Sequence, residues 1–366
     1  MKSAEDRVNF VLSVSEISNK KREKIKECLG KKYANLHNEI LKNSEILQNI
    51  VGNDEFSKIL DNFKNMDKLE AKLEKYHVDY ITIADKDYPY RLREIPNPPY
   101  VLYYIGDISI LNDECIAVVG TRKPSAYGKE ITEKFVKALA KEKFCIVSGL
   151  AYGVDTIAHQ ITLNEKAKTI AVLASGLDNI YPAENERLAE KIVESGGCLV
   201  SEYYIGTKSD SFRFPIRNRI ISGLSLGVLV TQASQKSGSL ITANYAIEQN
   251  RELFVIPANL NLIDSKGTNS LIASIPECVT MSPDKIVLTF RAELNQKSKS
   301  TDVKQMGLEE GLIIELLKSG EKTFDELLEL THLNPKMLNQ KLTTMEISGI
   351  IKRLAGNTVM IVEENL

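Results

Sequence analysis

The stretch Cys115–Phe135, CIAVVGTRKPSAYGKEITEKF, decides the fold. It begins with a short run of apolar residues, which is typical of a strand buried on both faces of a sheet. Gly120 ends the run, and after a polar loop Ile131 and Phe135 recur at helical spacing. A buried strand followed by a loop and a helix is the repeating unit of a parallel α/β sheet.

The same pattern recurs along the chain. Further strands are predicted at CIVSG from Cys145, TIAVLA from Thr169, CLVSE from Cys198, VLVTQ from Val228 and LFVIP from Leu253. Helical patterns separate them, so the sequence predicts a doubly wound parallel sheet over residues 113–290. A connector over residues 79–112 precedes it and contains one more strand-like run, YVLYYIG. Ligands of such sheets bind outside the carboxyl ends of the strands, so a site is expected in the loops that follow them.

The segments on either side of the sheet differ from it in pattern. Residues 1–78 carry apolar residues at helical spacing among many Lys, Glu and Asn, which indicates a helical bundle for interaction or spacing. Residues 291–305 are polar and are typical of a linker. Residues 306–366 predict three helices and a hairpin, which is the layout of a winged helix.

The composition is that of an ordinary globular protein. Of the 366 residues, 43% are apolar and 26% charged, and the net charge of −2 excludes a polyanion-binding surface over the whole molecule. The five cysteines are scattered without a CxxC pair, so buried reduced thiols of a cytoplasmic protein are expected and a zinc site is not. We see no secretion signal or apolar run of membrane-spanning length, so no membrane association is expected.

The loop after the first of these strands has the residue types of a phosphate site. It fits neither GxGxxG nor GxxxxGK[ST], so neither dinucleotide binding nor P-loop hydrolysis is indicated. Instead it combines a glycine for close backbone approach, two hydroxyl groups and two cations: Gly120, Thr121, Arg122, Lys123 and Ser125. The alternative interpretation is a solvated loop that carries two surface charges.

The second strand ends at Ser148 and Gly149. After a short loop, Asp155 is expected to cap the helix that follows. Asp155 and His159 lie four residues apart on one helix face, a spacing that an acid/base or metal pair could use. No third ligand is nearby in the sequence, so a helix cap and a packed histidine are favoured over a metal site or a catalytic pair.

Two further segments point to an anion. Lys236, Ser237, Gly238 and Ser239 precede a helix, and Ser239 is expected to cap it while free N–H groups face outward. In FRFPIRNRIISG, Phe212–Gly223, Pro215 suits the first turn of a helix. Arg217 and Arg219 would then lie in that turn, beside the partial positive charge of the helix N-terminus, which predicts an anion there.

Together the loops would place five cations along one edge of the sheet: Arg122, Lys123, Arg217, Arg219 and Lys236. That is more than one phosphate needs, so a polynucleotide backbone is indicated. Phe214 is expected to be exposed and could stack a base, an interaction worth roughly 1–3 kcal/mol per base. Phe212 is expected in the core.

The motifs VVGTRKPSAYG, IVSGLAYGVDTIAH, TIAVLASGLDNIYPAEN, FPIRNRIISGLS and SGSLITANYAIEQNRELFVIPA resemble, in order, the signatures of the DNA-processing protein A family, also called DprA or Smf. The resemblance covers roughly Tyr88 to Val279. It implies a cytoplasmic homodimer with an extended Rossmann-like domain over residues 79–290, flanked by a helical, SAM-like domain and a winged helix. It implies protection of incoming single-stranded DNA and loading of the RecA recombinase onto it during natural transformation, with no established catalysis and no cofactor. It places DNA contacts at Gly120, Thr121, Arg122, Phe214, Arg217, Asn218, Arg219 and Lys236–Ser239.

Two enzymatic functions are the alternatives to single-stranded DNA binding. A phosphoribohydrolase-like enzyme on a similar sheet would carry a glutamate where this chain has Thr242, Ala243 and Asn244, so its general acid/base is missing. Asp155, Asp178 or Glu202 could still supply a carboxylate. A nuclease ranks last, because no paired carboxylates with metal-binding spacing are found.

The predicted winged helix is acidic. Between Glu309 and Arg353 there are eight acidic and six basic residues, and the third helix offers only Lys336 and Lys341. Duplex binding depends on neutralising phosphates, so this segment is expected to contact a protein instead.

Overall fold

The structure of the chain, a computed structural model, describes residues 3–29, 39–40, 42–291, 308–347, 350–354 and 357–362. It divides into two compact units, Met1–Val287 and Leu288–Leu366.

The first unit is built on one eight-stranded sheet. Its strands are β1 Asp79–Thr82, β2 Val101–Gly106, β3 Cys115–Val119, β4 Cys145–Ser148, β5 Thr169–Leu173, β6 Cys198–Ser201, β7 Gly227–Val230 and β8 Glu252–Val255. Their order across the sheet is β1-β2-β6-β5-β4-β3-β7-β8. The strands β3 to β8 pair in parallel and lie at the six predicted places, while β1 and β2 extend the sheet in antiparallel pairing. The predicted Rossmann-like α/β fold is confirmed.

The strand order contains one reversal. From β3 the chain proceeds outward through β4 and β5 to β6, then returns to lay β7 on the other side of β3. Val119 of β3 pairs in register with Val230 of β7. A crevice forms outside the carboxyl ends of two strands at such a reversal, which places the expected ligand site between β3 and β7.

Helices of the first unit surround or precede the sheet. They are α1 Ala4–Val14, α2 Asn19–Leu29, α3 Ser44–Val51, α4 Asn53–Lys64, α5 Met66–Lys75, α6 Tyr90–Arg93, α7 Ala126–Lys141, α8 Val154–Asn164, α9 Glu186–Glu194, α10 Arg213–Leu224, α11 Ser239–Glu248 and α12 Lys266–Ser274. Residues 283–291 are helical as well.

The N-terminal helices share a hydrophobic core with the sheet. Phe10 of α1 is fully buried and stacks on Tyr80 of β1, with ring centroids 4.5 Å apart. The Thr82 hydroxyl donates a hydrogen bond to the Asp6 carboxylate at 2.5 Å. The same apolar cluster continues from these helices to Leu173 of β5. The helices are therefore packed onto the sheet, and the domain boundary at residue 78 stays a prediction.

The second unit has helices α13 Leu308–Lys318, α14 Phe324–Thr331 and α15 Pro335–Ile347 and strands β9 Lys322–Thr323, β10 Ile351–Leu354 and β11 Thr358–Ile361. The strands form an antiparallel sheet in the order β10-β11-β9. Three helices and a hairpin lie where they were predicted. The assignment as a winged helix stays a prediction, and the predicted linker falls, beyond residue 291, outside the described residues.

The cysteines are reduced and mostly buried, as predicted from the sequence. All five are free thiols; four are buried and Cys28 is partly buried. Among the described residues, no helix combines the length and the apolar character that crossing a bilayer requires.

Candidate functional site

A cavity of about 360 Å³ lies at the carboxyl ends of β3 and β7, where the strand order reverses. Three of the predicted loops and the start of α10 meet around it. Ten of the residues predicted from the sequence line it: Gly120, Thr121, Arg122, Phe214, Arg217, Asn218, Lys236, Ser237, Gly238 and Ser239. The structure therefore brings most of the predicted site into one place.

The cavity has a positive electrostatic character. The first turns of α8, α10 and α11 contribute Asp155, Pro215 and Ser239 to its wall, so three helix N-termini with their partial positive charge border it. Arg122 and Lys236 are exposed cations on the same wall. Backbone amides at helix ends together with exposed cations form a binding site for phosphate.

Close backbone packing fixes the loop that carries Arg122. A side chain on Gly120 would come within 2.6 Å of Val154, and one on Gly153, whose φ is +77°, within 2.5 Å of the Thr121 carbonyl oxygen. The Thr121 amide donates to the Gln232 carbonyl at 2.8 Å, and its carbonyl accepts from the Val154 amide at 3.2 Å. The loop after β3 is thus held between the end of β7 and the start of α8. Gly120 and Gly153 allow the close backbone packing that positions Arg122.

Gln232 supports this loop and was missed in the sequence. Its side chain is fully buried, and its Oε1 accepts from the Ser125 amide at 3.0 Å. Its Nε2 donates to the hydroxyls of Ser125 at 2.9 Å and Ser265 at 3.1 Å. Ser125 also caps α7 by accepting from the Gly128 amide at 3.1 Å, so its hydroxyl orders the loop outside the cavity. A polar residue directly after an apolar strand was the available signal.

Phe214 is half-buried in the cavity wall beside a cation. The Arg122 Cζ lies 5.2 Å from the centroid of its ring, and the Tyr181 ring packs against it at 5.5 Å. Phe212, by contrast, is 56% exposed, so the prediction that it belongs to the core is wrong. It precedes α10 at the N-cap position, and the Arg213 Cζ lies 5.1 Å from the centroid of its ring.

Arg217 forms the floor of the cavity and is buried, with 4% of its surface exposed. Its Nη1 donates to the carbonyls of Gly149, at 2.8 Å, and Val172, and its Nε donates to Asn218 Oδ1 at 3.1 Å. Burial lowers its pKa to about 10, an effect that the nearby Asp155 carboxylate opposes. Arg217 therefore remains charged at neutral pH and joins α10 to the ends of β4 and β5.

Arg219 does not line this cavity. Its Nη2 forms a buried ion pair with Glu202 at 2.6 Å, and its Nε donates to the Asn97 carbonyl at 2.9 Å. The helix begins at Arg213, two residues before Pro215, so the prediction that Arg217 and Arg219 lie in its first turn is wrong. Residues two apart on a helix are separated by about 200°, so the two arginines face different surroundings.

The loop after β4 serves the structure. The Ser148 hydroxyl is fully buried and donates to the Val118 carbonyl at 2.7 Å. Neither Ser148 nor Gly149 lines the cavity. The Gly149 carbonyl accepts a hydrogen bond from Arg217, which itself lines the cavity. Asp155 does not cap α8 as expected: Gly153 holds the cap position, and the carboxylate accepts the amides of Gly149 at 3.0 Å and Ala151 at 3.3 Å.

His159 is a packed histidine, as favoured from the sequence. It is fully buried, with Nδ1 2.7 Å from the Thr169 hydroxyl, and burial lowers its pKa to about 3. Within the part of the chain that the structure describes, no group of three or more His, Cys, Asp or Glu side chains could hold a metal.

The loop after β7 carries its cation at the surface. Ser239 is the first residue of α11 and not its cap, which is Gly238. The hydroxyls of Ser237 and Ser239 lie 2.8 Å apart, and Asn218 Nδ2 donates to the Gly238 carbonyl at 3.3 Å. Asn218 therefore ties this loop to α10 across the cavity. Lys123 is exposed and lines a neighbouring cavity together with Arg122.

Comparison with known proteins decides the family. A family model described as DNA recombination-mediator protein A matches residues 79–291. The chain belongs to this family. The match includes every residue that lines the cavity, and it ends at residue 291, before the helices and strands of the second unit begin at Leu308.

Two curated relatives show the extent of the similarity. Protein Smf of a Synechocystis species is 44% identical over 217 residues, which cover 58% of this chain and 54% of that protein. The DNA processing protein DprA of Bacillus subtilis is 42% identical over 199 residues, 54% of this chain and 67% of that one. The chain thus spans about half to two thirds of the length of these relatives.

Two solved structures share the fold. The DNA processing protein A of Streptococcus pneumoniae superposes with a TM-score of 0.63 at 33% identity, over 77% of this chain and 96% of that one. A DNA processing protein A from Helicobacter pylori, studied for its single-stranded DNA binding mode, gives a TM-score of 0.53 at 33% identity over 59% and 98% of the two chains.

Proposed function

We propose that this chain binds single-stranded DNA in the cavity between β3 and β7. As a recombination mediator, it would protect incoming DNA and load the RecA recombinase onto it during natural transformation. One observation carries the proposal: three helix N-termini, two exposed cations and one aromatic ring converge on a single cavity at the reversal of the sheet.

The backbone of the strand would be held by charge. Arg122 and Lys236 lie on two different loops of the cavity wall and are both exposed, so each can meet a phosphate without first losing a buried partner. Contacts of this kind release counterions from the DNA. The logarithm of the affinity therefore falls with the logarithm of the salt concentration, with a slope of about −0.7 for each phosphate that is neutralised on a single strand. Arg217, buried beneath them, contributes charge and position.

The choice of single strands would come from Phe214. Its ring forms part of the cavity wall beside Arg122, where an unpaired base can stack on the ring while the guanidinium meets the adjoining phosphate. The bases of a duplex are paired and stacked on each other, so they are not free for this contact. Single-stranded DNA is therefore expected to bind more tightly than a matched duplex.

The remaining parts of the proposal are supported by family membership. They are a homodimer, a partnership with RecA, action in the cytoplasm, and a division into a helical domain over 1–78, a Rossmann-like domain over 79–290 and a winged helix over 306–366. We propose no catalytic role. The carboxylate in the cavity wall, Asp155, already accepts two backbone amides and faces the Arg217 charge.

Fluorescence anisotropy with labelled oligo-dT over a salt series tests the proposal. The variants are Arg122→Ala and Lys236→Ala, and the matched control is Lys141→Ala, an exposed lysine at the other end of α7. Each cavity variant is expected to weaken binding and to reduce the salt slope by about 0.7, while the control keeps both.

Equal binding of the wild type and both cavity variants would contradict the proposed site. A wild type that ignores single strands but cleaves a nucleoside monophosphate would favour the phosphoribohydrolase alternative, with Asp155 as the first carboxylate to replace.

A further inference from the structure

A second cavity adjoins the first. It has a volume of about 610 Å³ and shares Arg122 with the cavity between β3 and β7. Its wall comes from the loop after β3, the start of α7, the loop before α8 and the segment before α9. Both volumes fall within the roughly 300–1,000 Å³ of ordinary ligand sites. A strand that leaves the first cavity past Arg122 would enter the second.

Tyr152 presents an aromatic ring to this second cavity. It is 39% exposed, and its hydroxyl donates to Glu184 Oε2 at 2.5 Å. Glu184 lies in the segment before α9, so this bond ties the edge of the ring to a second segment and limits its rotation. The next residue, Gly153, packs directly on the backbone of Arg122: a side chain there would lie 2.6 Å from the Arg122 carbonyl. The residue next to Tyr152 therefore packs on the backbone of Arg122, the residue that both cavities share.

The wall around Tyr152 also carries cations. Lys123 and Lys129 line the same cavity and are exposed, one in the loop after β3 and the other in the first turn of α7. Glu184 is the acidic residue of this wall, and its carboxylate is engaged by Tyr152. An oriented ring flanked by lysines has the composition of a stacking platform for single-stranded nucleic acid.

We propose that Tyr152 forms a second base-stacking site, with Lys129 contacting the adjacent phosphate, so that the single strand runs from Phe214 past Arg122 to Tyr152. This inference rests on the proposed function and extends it. Phe214 would hold the first base and Tyr152 a base further along the same strand. The second site is filled only when the oligonucleotide is long enough to pass Arg122.

The absence of tryptophan from the chain allows a direct test. The variant Tyr152→Trp introduces a single indole whose fluorescence a stacked base quenches. The matched control is Tyr76→Trp, since Tyr76 is exposed to a similar extent, 43%, at the end of α5. Saturating oligo-dT is expected to quench the indole at position 152 and to leave the one at position 76 unchanged.

Affinities measured over a length series provide the second readout. For oligo-dT of about 4 to 16 nucleotides, Tyr152→Ala is expected to bind the shortest as the wild type does and the longest at least about fivefold more weakly. Tyr152→Phe keeps the ring but loses the bond to Glu184, so it should bind the long oligonucleotides more tightly than Tyr152→Ala and no more tightly than the wild type. Lys129→Gln should reduce the salt slope for the long oligonucleotides alone.

The outcomes separate this inference from the proposed function. An unquenched indole at position 152, or a Tyr152→Ala variant that matches the wild type at every length, overturns the second site. If Arg122→Ala still weakens binding in that case, the cavity between β3 and β7 stands. A wild type that binds no oligonucleotide of any length overturns both.

Discussion

Replacing Arg217 by alanine is expected to unfold the first unit more easily, and not merely to remove a DNA contact. The guanidinium is buried and donates to the carbonyls of Gly149 and Val172. Its loss leaves these acceptors unsatisfied and the buried Asp155 carboxylate without its nearby cation. Removing one member of a buried charged network costs about 3–5 kcal/mol.

Urea denaturation followed by circular dichroism measures this cost. With an m-value of about 3 kcal/mol/M, a loss of about 3–5 kcal/mol lowers the urea midpoint by about 1 M or somewhat more. Arg122→Ala is the matched control, since Arg122 is exposed on the same cavity and should keep the midpoint of the wild type. The double variant Arg217→Met with Asp155→Asn removes both charges and should recover part of the lost stability.

The deficit of Arg217→Ala should also depend on pH. Burial raises the pKa of Asp155, and Arg217 opposes that rise. Without Arg217, the folded state holds the proton of the Asp155 carboxyl more tightly than the unfolded chain does. The free energy of unfolding of the variant therefore falls as the pH rises from the ordinary pKa of an aspartate through the raised pKa of Asp155. The deficit should therefore be smaller near pH 5 than near pH 8. An Arg217→Ala variant that unfolds like the wild type at both pH values, yet loses DNA binding, would refute the structural role.

Two further predictions concern a buried histidine and the C-terminal unit. The pKa of His159 falls from 6.5 to about 3, so the unfolded chain binds a proton that the folded state does not, and stability should drop as pH falls below 6.5. His159→Gln should flatten this acid limb in urea midpoints; an unchanged limb would contradict it. In α15, Lys341 already pairs with Glu309 at 3.5 Å and Glu310 at 3.0 Å. Lys336→Ala with Lys341→Ala in the full chain should therefore change duplex affinity by less than about twofold in anisotropy, and a large loss would establish a DNA role for this helix.

The sheet could be predicted because its parallel strands appear in the sequence as short apolar runs. A parallel strand is buried on both faces, so β3 appears as the unbroken apolar run Cys115–Val119, and the other five parallel strands follow the same rule. Their order then places the site at the carboxyl ends of β3 and β7. Most of the loop residues that converge there could be predicted, because glycine, hydroxyl groups and cations follow the buried strands at the edge where such sheets bind ligands.

The errors have a common physical origin, since composition does not reveal which way a side chain faces. Arg217 and Arg219 are two positions apart on one helix, and the resulting rotation of about 200° places one at the cavity floor and the other in an ion pair with Glu202. For the same reason Phe212, expected in the core, is exposed, while Phe214, expected to be exposed, is half-buried. Gln232 was missed because its role exists only when the loops after β3 and β7 meet.

Photocrosslinking tests the central claim most directly. Oligo-dT that carries 5-iododeoxyuridine couples to an aromatic ring on which the modified base stacks, and mass spectrometry identifies the residue. If the cavity binds single strands, the crosslink forms on Phe214, excess unlabelled single strand competes it away, and Arg122→Ala weakens it. Crosslinks confined to residues 308–362, with none among the residues that line the cavity between β3 and β7, would contradict it.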